Sequence, residues 1–137
     1  MNFNTGKITV AGKRKTSIAK ATIYPGNGEI RINKIPYAHL SYFRKLSIEE
    51  PIRIATDVLG KFDFNIDVNV KGGGQEARIE ASRLAIARAL VKITKSAELK
   101  KAFSDYDKSL LVADVRRKEA YKPGDSKARR KRQKSYR

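Results

Sequence analysis

The sequence contains no cysteine, no tryptophan and a single histidine among its 137 residues. Without cysteine, disulfide bonds and thiol chemistry are excluded, and one histidine does not complete a typical zinc-binding set. Residues 1–6 are polar and lack the apolar stretch of a signal peptide, and no apolar run reaches the length that spans a membrane. We therefore expect a cytoplasmic protein with no metal and no other cofactor.

Acidic residues are also scarce. The chain has 31 Lys and Arg against 14 Asp and Glu, which gives a formal net charge of +17. A compact domain with this charge repels itself, so a polyanionic partner is expected, and nucleic acid is the most common one. An anionic membrane surface is the alternative, but no segment has the pattern of a basic amphipathic helix with large apolar anchors. We expect no membrane partner.

The positive charge is concentrated at the C-terminus. Residues 115–137 contain 11 Lys and Arg against two acids, a net charge of +9, whereas residues 1–114 contain 20 against 12, a net charge of +8. We therefore divide the chain into a globular domain, 1–113, and an extended basic tail, 114–137. The tail has too few apolar residues to fold alone, and its last 22 residues could reach about 70 Å when extended. Arginine pairs bidentately with phosphate, which suits structured RNA better than a localisation or solubility segment.

Apolar patterning predicts a mixed chain of strands and helices. The predicted strands cover 7–24, 29–33 as the returning arm of a hairpin after the turn at 25–28, and the strictly alternating Phe62–Val70. The predicted helices cover 37–43, Ser47 as N-cap to a stop at Gly60, Gln75–Thr94 and Ala97–Asp105. This order indicates an α+β domain in which helices pack on one face of a sheet.

The longest predicted helix has a basic stripe. Arg88, Lys92 and Lys95 fall together on it, next to the small side chains of alanines 81, 85 and 89. Small residues beside cations would let a phosphate backbone lie close, and a solvated charged face is the alternative. Arg83 falls within the apolar arc, where it either packs in an ion pair or contacts a ligand.

Two further features could contact phosphate. Gly72-Gly73-Gly74 lies between a strand and the long helix, where it forms either a phosphate contact at the helix N-terminus or a sharp turn. It lacks the Gly-Lys-Ser/Thr ending of a nucleotide-binding loop. Lys13-Arg14-Lys15 is a second basic cluster, with Lys7 and Lys20 nearby. His39 has no catalytic partner set, so we predict neither an enzyme nor a small-molecule substrate.

The order and spacing of these motifs resemble the universal small-subunit ribosomal protein nine family, whose eukaryotic members are numbered sixteen. The matching residues are Gly12-Lys13-Arg14-Lys15-x-Ser17-x-Ala19, Pro25-Gly26-Asn27-Gly28, Gly72-Gly73-Gly74, Ala81-x-Arg83-x-Ala85-Ile86-Ala87-Arg88-Ala89-Leu90, Asp114-x-Arg116-x-x-Glu119 and Gln133-Lys134-Ser135-Tyr136-Arg137. The ending resembles the archaeal and eukaryotic branch. Ala77-Arg78 stands where the family usually has Gly-Gln.

The resemblance implies a fold like the second domain of ribosomal protein five: a four-stranded sheet, helices on one face, a left-handed βαβ crossover and the basic tail. It also implies a structural constituent of the small ribosomal subunit that binds rRNA in the subunit head, beside neighbouring ribosomal proteins. The tail is expected to reach the peptidyl-site tRNA during translation.

The residues predicted to bind rRNA are Lys13, Arg14, Lys15, Gly72, Gly73, Gly74, Arg83, Arg88, Lys92, Arg116, Arg117, Lys122, Lys127, Arg129, Arg130, Lys131 and Arg132. The residues predicted to contact the tRNA are Lys134, Ser135, Tyr136 and Arg137. Two other classes remain for comparison. One is a free nucleic-acid binder, such as a chromatin protein or RNA chaperone. The other is a small-molecule kinase of the same topology, which the missing carboxylate cluster and the short chain disfavour.

Overall fold

The computed structural model describes residues 6–124 and 127–130. Its main elements are β1 (Ile8–Arg14), β2 (Ser17–Pro25), β3 (Ile30–Ile32), β4 (Ile35–Pro36), α1 (Tyr42–Leu59), β5 (Phe64–Lys71), α2 (Gln75–Thr94) and α3 (Ala97–Tyr106). A 3₁₀ turn at Tyr37–His39 precedes α1, and another at Lys108–Leu110 follows α3. The predicted mixed α+β architecture is confirmed.

The strands form one sheet in the order β1-β2-β5-β3-β4. It has five strands where four were expected. The additional strand, β4, has only two residues, which is too short to show an alternating pattern. Within the described residues, β3 and β5 pair in parallel, and the other three strand pairs are antiparallel.

The predicted hairpin between residues 7–24 and 29–33 is wrong. β3 pairs with β5, and β5 lies between β2 and β3. The turn after β2 makes its hydrogen bonds to the start of β5: the side-chain oxygen of Asn65 accepts from the backbone N–H groups of Asn27 and Glu29, each at 2.9 Å. The chain therefore crosses the end of β5. The hairpin in this region joins β1 to β2 through Lys15 and Thr16.

The first α-helix also differs from its prediction. One helix begins at Tyr42, and Ser47 lies inside it, where its hydroxyl donates to the carbonyl of Phe43 at 3.0 Å instead of capping an end. The predicted stop at Gly60 is confirmed. This glycine has φ 78° and its N–H donates to the carbonyl of Thr56, the left-handed ending that glycine adopts without strain.

The core lies between the helices and one face of the sheet. Alternate residues of β2 and β5 are buried, among them Ala21, Ile23, Ile66 and Val68, and the residues between them are open to solvent. The alternation predicted for Phe62–Val70 is thus confirmed over β5. A sheet with one face covered and one face open is the usual arrangement for such alternating strands. This arrangement leaves the second face available for a partner.

α2 spans the predicted residues and packs closely on β1. A Cβ atom added to Gly12 would lie 2.4 Å from the carbonyl oxygen of Ala81 and 2.7 Å from the backbone nitrogen of Ala85. Only a residue without a side chain allows the strand and the helix to approach this closely. Ala81, Ala85 and Ala89 are fully buried. The interpretation that these alanines flank a phosphate is therefore wrong: their small size serves the packing of β1 on α2.

Candidate nucleic-acid interface

The basic stripe of α2 contains two different kinds of cation. Lys92 is exposed on the last turn of the helix, and Lys95 is exposed in the left-handed residue that caps it. Arg88 is only partly exposed. Its Nε donates to the carbonyl of Leu111 at 2.8 Å, and its Nη1 donates to the carbonyl of Ala11 at 3.2 Å. Arg88 therefore holds β1 and the segment after α3 against α2, and Lys92 and Lys95 are the cations of this stripe that face solvent.

Arg83 sits between acidic side chains. It forms an ion pair with Glu50 of α1, and both of its terminal nitrogens lie 3.2 Å from the same carboxylate oxygen of Asp107. Its side chain is 18% exposed. Hydrogen bonds from Ser109 and then from Arg83 hold the pKa of Asp107 below its usual value. The ion-paired alternative for Arg83 is confirmed, and its contact with RNA stays a prediction.

We expect Arg83→Gln to lower the free energy of unfolding by about 2 kcal/mol. The substitution removes the positive charge that pairs with Glu50 and Asp107, and these two carboxylates stay close together between α1, α2 and the 3₁₀ turn. Chemical denaturation at neutral pH measures this effect. Arg53→Gln is the control, since Arg53 is an exposed residue of α1 whose ion pair within the described chain is with Glu49, one turn away, and exposed pairs of this kind contribute little. Equal stabilities of the two variants would contradict the structural role of Arg83.

The β1–β2 turn presents Lys13 and Lys15 to solvent, whereas Arg14 points towards the helices. Arg14 forms ion pairs with Glu80 of α2 and with Asp114, whose carboxylate lies 2.6 Å from its Nη1. The predicted basic cluster is therefore split. Two of its cations are open to a ligand, and the third is held by acidic side chains.

The triple glycine forms a sharp turn against this hairpin. Gly72 and Gly73 have φ values of 79° and 64°. The carbonyl of Gly72 accepts from the Ser17 hydroxyl at 2.9 Å and from Nε of Arg78 at 3.0 Å. A Cβ on Gly73 would lie 2.1 Å from the Ser17 oxygen. The turn is thus required by packing. The glycines are also exposed at the N-terminus of α2, so their phosphate contact stays a prediction.

Asp114 is the point where the chain leaves the domain. Besides Arg14, it accepts hydrogen bonds from the backbone N–H and from the guanidinium of Arg116, at 2.7 to 2.8 Å. Arg117 donates to the carbonyl groups of Asp114 and Arg116. These contacts, which we call the Asp114 latch, fix the start of the tail beside the β1–β2 turn. A cleft of about 220 Å³ lies there, lined on one side by Lys13 and Arg14 and on the other by Asp114 and Arg116.

The latch predicts a pH dependence. Hydrogen bonds from Arg116, followed by its charge and that of Arg14, hold the pKa of the Asp114 carboxyl far below its usual value. The folded state favours the charged form of the carboxyl. The contribution of Asp114 to folding stability is therefore complete above about pH 3.9, the ordinary aspartate pKa, and is lost as the pH falls through the lower pKa of the folded state. We expect Asp114→Asn to unfold at a slightly lower temperature at neutral pH and the difference to shrink in acid. A pH-independent difference in melting temperature would contradict the latch.

Beyond the latch, the described part of the tail has no regular helix or strand, and most of its side chains are exposed. Lys122, Lys127 and Arg130 are exposed, and Arg129 pairs with Glu119 of the same segment at 2.9 Å. The remaining predicted residues lie outside the described residues: Lys131, Arg132, Lys134, Ser135, Tyr136 and Arg137.

Sequence reasoning missed basic residues on the open face of the sheet. Arg31, Lys34 and Lys71 are exposed there, near Lys20. Their separation along the chain hides this proximity, because it depends on β5 pairing with both β2 and β3. The alternation within β5 does predict that Lys71 lies on the solvent side. The order of the strands in the sheet is the information that the sequence pattern does not supply.

Within 6–124 and 127–130, no group of three or more acidic or histidine side chains is arranged to hold a metal ion. In the same ranges, no helix combines the length and the apolar character required to cross a bilayer.

Comparison with known proteins gives a consistent result. A family model described as "Ribosomal protein S9/S16" matches residues 12–137. The chain is 44% identical over 133 residues to the small ribosomal subunit protein uS9 of Methanococcus vannielii, covering 95% of this chain and 98% of that protein. It is 46% identical over 133 residues to the uS9 protein of Desulfurococcus amylolyticus, covering 96% of this chain and 94% of that protein.

Proposed function

Because the chain belongs to the ribosomal protein S9/S16 family, and is therefore a structural, non-enzymatic component of the small ribosomal subunit, we propose that it binds rRNA in the subunit head. We further propose that its tail reaches the tRNA at the peptidyl site. Its other partners are the neighbouring ribosomal proteins of the head, and it acts in the ribosome in the cytoplasm. The division into a domain, 1–113, and a tail, 114–137, is part of this proposal.

The observation that carries the rRNA proposal is the placement of exposed cations where the tail leaves the domain. Lys13 and Lys15 extend from the β1–β2 turn, and the Asp114 latch holds Arg116 and Arg117 beside them. Turn and tail thus form one positive surface that a phosphate backbone could follow. Most of the binding free energy of such a surface comes from the release of counterions when phosphates are neutralised.

The cations of the positive surface are exposed to a ligand, whereas the donors of the packed arginines are partly used within the chain. Arg14, Arg83 and Arg88 already donate to acidic side chains or to backbone carbonyls of this chain. Arginine has five N–H donors, so each could add a phosphate contact only with the donors it has left. We assign the main rRNA contacts to exposed side chains: Lys13, Lys15, Lys92 and the tail residues Arg116, Arg117, Lys122, Lys127 and Arg130. Arg116 and Arg117 also donate within the Asp114 latch, but Arg116 is 79% exposed whereas Arg14 and Arg83 are 18% exposed.

The tRNA part of the proposal rests on the tail. No core residue of the described chain lies after Leu110, so the described part of the basic tail can contact a partner without loss of core packing. Lys134, Ser135, Tyr136 and Arg137 stand at its end and are the proposed tRNA contacts. Arginine and tyrosine side chains can stack on bases as well as pair with phosphates, which suits an RNA loop.

Sedimentation of a native lysate tests the ribosomal role against a free nucleic-acid binder, which the charge alone would also fit. At moderate salt we expect the chain to migrate in stoichiometric amount with small subunits, and to remain there at high salt because many contacts hold it. A protein that is absent from small subunits, or that spreads over all nucleic acid, would refute the proposal.

A further inference from the structure

The face of the sheet that the helices leave uncovered has its own basic surface. Lys20 of β2, Lys71 of β5 and Lys34 of the β3–β4 turn all line one shallow groove on this face. The groove has a volume of about 980 Å³. We call these three residues the open-face cluster. None of its residues belongs to the tail, to the stripe on α2 or to the Asp114 latch.

Strand register brings the cluster together. Lys20 lies opposite Asn69, and Ile18 lies opposite both Lys13 and Lys71. Lys20 is therefore the diagonal neighbour of both Lys13 and Lys71, at a Cβ separation of roughly 7 to 8 Å. Like charges at this distance repel each other, and Asp67, the other diagonal neighbour of Lys20 on β5, offsets part of this repulsion.

The acidic residues nearby compensate only part of this charge. Among the described residues, Lys20, Lys34 and Lys71 take part in no ion pair, although all three are exposed. Among the described residues, Asp67 is the acid that lines the groove, and it accepts a hydrogen bond from the Tyr24 hydroxyl at 3.0 Å. Glu29 pairs with Arg31. The groove therefore keeps a net positive charge and has amide and hydroxyl groups along its floor.

We propose that the open-face cluster is a second RNA-binding surface, which holds the phosphate backbone of an rRNA segment in the groove. This inference rests on the proposed rRNA-binding function. RNA fits better than an acidic protein because the positive face is continuous, through Lys13, with the turn where the proposed tail path begins. One nucleic acid could thus pass from the tail across the sheet. Ile18, 45% exposed between the lysines, adds an apolar contact for a sugar or base.

The absence of cysteine allows a direct test. A single cysteine introduced by Asn69→Cys lies in the groove opposite Lys20 and removes none of the lysines. A tethered iron chelate on this cysteine generates hydroxyl radicals that cleave nearby RNA. In reconstituted small subunits we expect cleavage of the rRNA backbone at a defined segment. Val115→Cys, at an 84% exposed position at the start of the tail, is the matched probe for the proposed main surface.

The two probes separate the two proposals. Cleavage from Val115→Cys without cleavage from Asn69→Cys overturns the open-face surface and leaves the main rRNA surface intact. Absence of cleavage from both overturns both. Cross-linking of Asn69→Cys to a neighbouring protein, without RNA cleavage, assigns the groove to a protein and also overturns the proposal. The cysteine-free parent protein gives the background.

A charge-matched comparison adds a quantitative readout. The triple variant Lys20→Gln, Lys34→Gln, Lys71→Gln is compared with Lys100→Gln, Lys101→Gln, Lys108→Gln, which removes three exposed lysines at and just after α3. With full-length small-subunit rRNA, we expect the first variant to reduce the log–log salt slope by about 2, at roughly 0.7 per phosphate contact, and the affinity on the order of tenfold. Equal losses in both variants would mean that only net charge matters and would overturn the assignment.

Discussion

Gly12→Ala is expected to destabilise the domain by about 3 kcal/mol, at the upper end of the usual cost of overpacking. The new methyl group would meet two backbone atoms of α2, the carbonyl oxygen of Ala81 at 2.4 Å and the nitrogen of Ala85 at 2.7 Å. Backbone in the middle of a helix has little freedom to yield. Strand β1 must therefore move away from α2, which opens the core at the fully buried Ala81, Ala85 and Ala89.

Equilibrium unfolding in denaturant measures this loss. Gly6→Ala is the control, since a Cβ at that position would have no atom within 4 Å. The double variant Gly12→Ala, Ala85→Gly sharpens the test. It removes the methyl group of Ala85 that lies 3.0 Å from the added one but leaves both backbone contacts, so we expect no more than partial recovery. Wild-type stability of Gly12→Ala would contradict the close approach of β1 to α2.

Elements that depend on local signals could be predicted from the sequence. α2 begins after a glycine break and covers the predicted Gln75–Thr94, and α1 ends at Gly60 as expected. β5 shows its alternation because one of its faces is buried and the other is wet. In each case the decisive residues are near each other in the chain, so periodicity and capping are enough.

Features that depend on contacts distant in sequence could not be predicted in the same way. The Pro25–Gly28 turn has the composition of a hairpin turn, yet β5 inserts between its two arms. Backbone N–H groups of Asn27 and Glu29 donate to the side-chain oxygen of Asn65 and hold the turn over the start of that strand. Likewise, Arg14 and Asp114 are 100 residues apart, and their ion pair changes Arg14 from a free cation into part of the latch. A count of positive charge therefore overestimates the cations available to RNA.

The largest functional effect is expected from deleting Arg129–Arg137, which removes six of the 31 Lys and Arg residues. We expect tRNA affinity at the peptidyl site to fall on the order of tenfold or more, with a smaller effect on subunit assembly. Assembly would still be supported by Lys13, Lys15 and the first part of the tail. The domain should keep its melting temperature, because Leu110 is the last core residue of the described chain, and the ion pair recorded there for Arg129 is with Glu119, itself in the tail.

A second tail variant separates charge from length. Replacing the six Lys and Arg of residues 129–137 with Gln keeps the reach of the segment and removes its positive charge. Both variants should lose peptidyl-site tRNA binding, measured by filter binding to reconstituted subunits. The difference in affinity from the wild type should be smaller at higher salt, because screening already weakens the wild-type contacts. If the Gln variant binds tRNA normally while the deletion does not, the terminal residues act through shape or stacking by Tyr136. If neither variant loses tRNA affinity, the proposed contact with tRNA is refuted. If the deletion unfolds the domain, the tail is part of the fold, which contradicts its role as a separate tRNA contact.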